Sequence, residues 1–348
     1  MKRALLAVSL LAGAFLILST LSGAQNVQSV LRSYLVTYLY WLGFSLGALP
    51  LLMILNLTGG KWGEATRGIL EAQTRSIGLM AILFLPVLAG LGHLYPWADP
   101  VFFAAHPARA RVYLNPPFFT LRALAYFSCW IGLAHSLRKR QSWSAAGLVV
   151  FGLTVTFAAI DWQMSLEAPW YSTIYGLLVA VAQAAQSWAF SIFVLTFLPP
   201  RFRAISLNAW PKTWLDIGNL LLTLLVLWAY LSFMQYLVIW SGNLPDEATW
   251  ILARTQGGWQ FLAMGLAVFG FAAPFSALLL RASKKRLAVL RTIAAWVLLV
   301  RLGEQLWMTA PAFYPGHFHV GVTDLGSFCV IGGLWGWAFL GKLEVLHA

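Results

Sequence analysis

The sequence predicts an all-α, polytopic membrane protein with about ten transmembrane helices. Three observations carry this. Ten long apolar segments run the whole length of the 348-residue chain. Charged residues make up 10% of it, against roughly 25% in soluble globular domains. Nearly every Lys and Arg falls in alternate connections between the apolar segments.

A helix needs about 20 apolar residues to cross the hydrocarbon core. That requirement places spans at 4–24, 34–57, 74–94, 116–137, 143–164, 171–198, 213–240, 251–280, 286–309 and 320–342. The segment 4–24 follows Lys2-Arg3 and ends at Leu21-Ser22-Gly23-Ala24, a pattern it shares with secretory signals. Its long apolar run favours a retained peripheral helix or signal anchor. Cleavage would leave nine spans in the same orientation. Residues 34–164 read as a first four-helix bundle, 171–309 as a second, and 320–342 as a last, peripheral helix. The fifth span exits with Asp161-Trp162 and the ninth with Glu304 and Trp307, an echo that suggests an internal repeat. No connection is long enough for a soluble catalytic head.

Charge fixes the expected orientation. One set of connections, with both termini, holds 17 of the 23 basic residues: Lys2, Arg3, Lys61, Arg67, Arg75, Arg138, Lys139, Arg140, Arg201, Arg203, Lys212, Arg281, Lys284, Lys285, Arg286, Arg291 and Lys342. The other set holds 5, namely Arg32, Arg109, Arg111, Arg122 and Arg254, and Arg301 lies inside a span. Basic loops resist translocation, so the richer side is expected to be cytoplasmic, with both termini inside a bacterial inner membrane. The net charge of +12 is therefore topological and does not point to nucleic acid. Arg138-Lys139-Arg140 and Lys284-Lys285-Arg286 sit at span ends, where they suit the anionic headgroups of membrane lipid.

The two cysteines, Cys129 and Cys329, lie in separate apolar spans. The sequence has no C-x-x-C-H motif and no metal-type cysteine cluster. No haem attachment or iron–sulfur cluster is expected within this chain. His317-x-His319 has no further ligand in register, so no metal is expected there.

Ionisable groups inside spans are expensive and mark function by default. Travel direction puts Asp161 near the outer end of the fifth span, Arg301 and Glu304 in the outer half of the ninth, and Asp324 at the outer start of the tenth. Arg301 and Glu304 are three residues apart and share a helix face, so they can pair. That pair reads either as a lock between helices or as part of a site. Asp161 has no basic residue nearby in sequence and needs a partner on another helix or a raised pKa. Gln235 and Tyr236 end the outer part of the seventh span. Nearby loops carry Glu167, Trp170, Tyr171, Asn243, Asp246, Glu247, His317 and His319. Taken singly, the aromatics there read as interface anchors. A second set, Glu71, His135, Gln183 and Asp216, reads either as a broken proton path from inside or as surface pairs and interhelical glue.

Specific strings add to this. Asp161-Trp162-Gln163-Met164-Ser165-Leu166-Glu167-Ala168-Pro169-Trp170-Tyr171-Ser172-Thr173-Ile174-Tyr175-Gly176 resembles the signature of the quinol-binding membrane subunits of alternative complex III. These belong to the NrfD-like (polysulfide reductase membrane subunit) family. Trp228-Ala229-Tyr230, with the stretch Gln235 to Glu247, resembles that family's seventh span and its exit loop. Arg301, Glu304, Trp307 and Pro311 resemble its ninth-span pattern, with Glu304 where an Asp is more usual. Tyr40-Trp41-Leu42-Gly43 and Leu57-Thr58-Gly59-Gly60-Lys61-Trp62-Gly63 are similar to the smaller of the complex's two such subunits.

The resemblance implies two four-helix bundles flanked by outer helices. It also implies a non-covalent quinone or quinol near the outer surface and a contribution to proton translocation. Electrons would leave to periplasmic iron–sulfur and multihaem cytochrome c subunits, beside a second NrfD-like subunit. On that reading Asp161 is the catalytic carboxylate, with Glu304 and Asp324 secondary. Asp161, Trp162, Glu167, Trp170, Tyr171, Gln235, Tyr236, Arg301 and His319 surround the headgroup, and Asn243, Asp246 and Glu247 face the redox partner. Two other readings remain: a membrane anchor or proton-conducting subunit without a quinone site, and an independent transporter.

Overall fold

In the computed structural model, residues 2–23, 25–99, 101–102, 110–139, 141–168, 170–198 and 210–347 are described. Ala24, Arg109, Arg140, Pro169, Arg201 and Arg203 lie outside the described residues. No strand occurs among the described residues, and the protein is an all-helical, multi-pass membrane protein.

Ten long helical segments follow one another: α1 (Lys2–Leu21), α2 (Val27–Thr58), α3 (Lys61–Ala89), α4 (Pro116–Lys139), α5 (Ser144–Trp162), α6 (Tyr175–Phe197), α7 (Trp210–Gly242), α8 (Trp259–Leu279), α9 (Leu287–Thr309) and α10 (Val322–His347). All but α9 are long and apolar enough to cross a membrane by length and composition alone. The 23-residue α9 is long enough, but Arg291, Arg301 and Glu304 dilute its apolar character. At 32 residues, α2 runs about 48 Å, longer than the hydrocarbon core is thick.

The boundaries depart from expectation in two places. Residues 61–73, expected as a connection, are helical, so α3 begins at Lys61. Residues 251–258, expected to start the eighth span, instead finish a short helix, Pro245–Leu252, and a turn through Gly257 and Gly258. Both glycines have positive φ, which a side chain would strain. Inside α3 the ladder breaks around Phe84, just before Pro86, which has no N–H to donate. Tyr34 and Tyr38, one turn apart on α2, donate hydroxyls to the carbonyls of Leu83 and Met80 there, at 2.7 and 2.8 Å.

The connections alternate between two ends of the bundle. One, the acidic end, brings together Gln28 and His93, Trp97 and Ser165, Glu167 and Arg254, and Gly257 and Phe318. The other, the basic end, brings together Asn56 and Ser144, Thr196 and Arg291, Asn219 and Lys284, and Lys2 and Glu344. Helix α2 packs on α3, α5, α6 and α10, and α6 packs in turn on α3, α5, α7 and α9. The long helices α2 and α6 pack against each other at the centre, α10 packs on α2 with Ile331, Trp335 and Phe339 in the core, and α1 lies on α10 at the periphery.

The α2–α6 crossing is close because Gly43 and Gly47 lie one turn apart on the contact face. A Cβ on Gly47 would sit 1.9 Å from the Gln183 carbonyl oxygen, inside any tolerable contact. Small residues four apart let membrane helices approach at backbone distance. Gly47→Ala is therefore expected to destabilise the protein by roughly 1–3 kcal/mol, the usual cost of overpacking. A melting temperature in detergent equal to that of the parent chain would contradict this close crossing.

Candidate functional site

A cavity of about 830 Å³ lies toward the acidic end between α6, α7, the 245–258 segment, α8 and α9. Helical spacing builds its walls. Trp228, Ser232 and Gln235 recur at i, i+4 and i+7 on α7, and Glu304, Trp307 and Met308 share one face of α9. Residues 266–272 of α8 form a turn of π-helix, and Leu266, Ala267 and Phe271 from it line the cavity. Such π-turns shift the helix register and recur at functional sites. Tyr230, Phe233 and Tyr236 line the same cavity yet are half exposed on the apolar flank of α7, so it opens sideways along that flank.

The cavity is apolar except at a few points. Glu304 is the carboxylate in its wall. Arg301 approaches Glu304 Oε2 to 2.6 Å and lies over the Trp228 ring at 4.0 Å, while the Trp228 indole N–H donates to Glu304 Oε1. The pairing expected from the i, i+3 spacing is thus present. Gln235 accepts from the Ser172 hydroxyl at 2.5 Å, which leaves its amide nitrogen for a ligand. Arg254 also lines the wall but is fully committed. Its guanidinium donates to both Glu167 carboxylate oxygens and to the carbonyls of Trp250, Trp307 and Met308, and it stacks on the Trp250 ring at 3.9 Å.

Asp161 does not line this cavity. It is fully buried on α5, in a bidentate pair with Arg122 of α4: Nε to Oδ2 at 2.8 Å and Nη2 to Oδ1 at 2.9 Å. Tyr126 donates its hydroxyl to Oδ2 at 2.8 Å. Arg122 also donates to the Tyr113 carbonyl and packs against both the Tyr113 and Phe118 rings, at 3.9 and 4.4 Å, where the two rings meet edge to face. Of the two alternatives open to Asp161, a partner on another helix or a raised pKa, the structure supplies the partner. That partner is 39 residues away on the neighbouring helix. Burial, and the Asp161 charge beside it, push the Tyr113 hydroxyl well above its ordinary pKa.

The other expected site residues fall in several places. Trp162 is buried against Phe84 and Phe127 in the main core. Glu167 holds Arg254, and Trp170 stacks on Trp250 at 4.8 Å while its indole donates to the Glu247 carbonyl. Tyr171 is exposed. His319 stacks on Tyr314 at 4.5 Å, and Asp324 caps the start of α10 by accepting the Gly321 N–H at 2.7 Å. Burial raises the Tyr314 hydroxyl above its ordinary pKa, opposed by Arg32 beside it. Asn243 ends α7 with a left-handed φ of 45°, and Asp246 and Glu247 form the acidic first turn of the short helix after it.

The inward set is spread over several helices. Glu71 is bracketed by Arg67 and Arg75 at 3.8 and 3.9 Å, Asp216 is half buried on α7, and Gln183 faces the interior near Arg301. His135 is exposed on α4.

Sequence reasoning passed over Arg122, Arg254, Tyr126, Trp228 and Trp250 as site residues. The signal for the first two was present. Both arginines fall within the expected spans 116–137 and 251–280, where a charge demands a partner. The chain matches no protein-family model and no curated protein.

Proposed function

We propose that the chain is a quinol-interacting membrane subunit of an oxidoreductase complex of the alternative complex III type. The observation that carries the reading is a cavity of about 830 Å³, open sideways along the apolar flank of α7, with one carboxylate in its wall. That volume lies within the roughly 300–1,000 Å³ of small-molecule sites. A quinol needs an apolar way in for its isoprenoid tail and hydrogen-bonding groups for its headgroup. The aromatic flank of α7 and α8 suits the first, and Glu304, Gln235 and Tyr236 suit the second. Oxidation releases two electrons and two protons. Glu304 accepts one proton from a ring hydroxyl, the second proton leaves to water at the acidic end, and the two electrons pass to iron–sulfur and haem c subunits docked there. In this reading the acidic end faces the periplasm of a bacterial inner membrane, both termini are cytoplasmic, and a second NrfD-like subunit lies alongside.

The purified chain, titrated with a short-chain quinone, should show quenching of tryptophan fluorescence from Trp228, Trp250 and Trp307. Ala263→Phe, placed in the cavity wall, should weaken that binding at least about tenfold, a change of roughly 1.4 kcal/mol. Unchanged affinity in that variant would remove the cavity from the account.

The orientation has its own test. Leu244, exposed beside Asn243, is replaced by cysteine as Leu244→Cys. A membrane-impermeant thiol reagent should label it in intact spheroplasts. Labelling only after lysis would reverse the orientation.

One observation favours a second reading, a proton-conducting or anchoring subunit without quinone turnover. The carboxylate in the most specific motif, Asp161, is consumed by Arg122 and Tyr126.

A further inference from the structure

Beside Glu304 lies a second, small void of about 20 Å³, separate from the large cavity. Glu304 lines both spaces, as do Leu178 and Met308. The void is ringed by polar side chains from three elements: Gln163 after α5, Gln183 and Gln186 on α6, and Arg301, Glu304 and Gln305 on α9.

Two of these have unmet hydrogen-bonding capacity. Arg301 is only 2% exposed, yet its Nε, Nη1 and Nη2 find no aligned acceptor among the described residues. Its 2.6 Å approach to Glu304 is a charge contact in which the N–H bonds point past the carboxylate. Gln183 Oε1 is likewise buried without a donor. A buried guanidinium lacking hydrogen bonds is costly, and so is a buried amide oxygen lacking one. Neither group reaches the other, but each borders the same void. Its size exceeds the roughly 10–15 Å³ that one water requires, and the wall supplies more than the two to four polar partners a water needs.

We propose that this void is a built site for a bound water. The water accepts from the Arg301 guanidinium, donates to Gln183 Oε1 and contacts Glu304. The wall carboxylate is then reached from two chambers, by ligand from the large cavity and by water from the small void. When Glu304 is protonated, its proton passes to the water oxygen as a proton from the water returns to the carboxylate, with no net change of charge. The site itself stands on Arg301 and Gln183. Only its service to a ligand rests on the function proposed above.

The test uses the full purified chain. A density map that resolves other ordered waters in the bundle should show one between Arg301 and Gln183. No density there would overturn the proposal. Gln183→Leu keeps the bulk but removes the acceptor. It should abolish that density and slow hydrogen–deuterium exchange of the Glu304 carboxyl at least tenfold, read from the infrared band that Glu304→Gln removes. Exchange at the parent rate in Gln183→Leu would overturn the water contact. Quinone binding to the large cavity, measured in parallel, should change less than twofold. Loss of quinone binding in the parent chain with the water in place would count against the quinol reading alone.

Discussion

Arg122→Leu is expected to destabilise the protein by about 3–5 kcal/mol, because it strands the fully buried Asp161 carboxylate without its counter-charge. The bidentate geometry and the Tyr126 hydroxyl satisfy that carboxylate only while the guanidinium is present. The double change Arg122→Leu with Asp161→Leu removes both charges and should recover most of the loss, since a buried pair exchanged for apolar residues is often neutral or better. Thermal or denaturant unfolding in detergent micelles reads both. If the single variant melts with the parent chain, or the double variant is no more stable than the single, the pair is not what holds α4 to α5. Asp161→Asn belongs to the same series. It leaves Arg122 charged and buried, so its effect should register in stability before it registers in chemistry.

The contrast between Asp161 and Glu304 shows how far this sequence could be read. The Arg301–Glu304 contact was legible because both partners lie on one helix, where a spacing of three fixes the face. The Arg122–Asp161 pair was not, because register between two antiparallel helices depends on a turn and on packing that no local pattern encodes. Arg122 itself was visible as a charge six residues into a span, but counting it with the loops hid it. The spans were legible for the same reason that most membrane helices are: lipid offers the backbone no hydrogen bonds, so apolar length alone selects helix. The α3 boundary was lost where polar residues such as Lys61, Glu64 and Arg67 continue the helix beyond the apolar run. The cavity was out of reach altogether. It needs α7, α8, α9 and the 245–258 segment at once, and the π-turn at 266–272 that shapes its wall leaves no periodic signature in a run as uniformly apolar as Leu266-Ala267-Val268-Phe269-Gly270-Phe271-Ala272.

In the assembled complex, Glu304→Gln is expected to lower quinol-dependent reduction of the electron acceptor by about 10²–10⁴-fold, the usual loss when a general base is removed. Size and hydrogen bonding survive the change, so Trp228 can still donate to the side chain and the quinone should still enter the cavity. The change also leaves the buried Arg301 without its counter-charge, which threatens the fold as well as the chemistry. Glu304→Asp separates the two. It keeps the charge beside Arg301 but withdraws the carboxylate by one methylene, so it should assemble like the parent complex while turnover falls by a smaller factor. Quinone binding to the isolated variants, followed by tryptophan quenching, provides the remaining control. Retained binding with lost turnover identifies Glu304 as the proton acceptor. Full turnover in an assembled Glu304→Gln complex would rule that role out and leave the cavity as a docking place for lipid or quinone, with Glu304 serving only to neutralise Arg301.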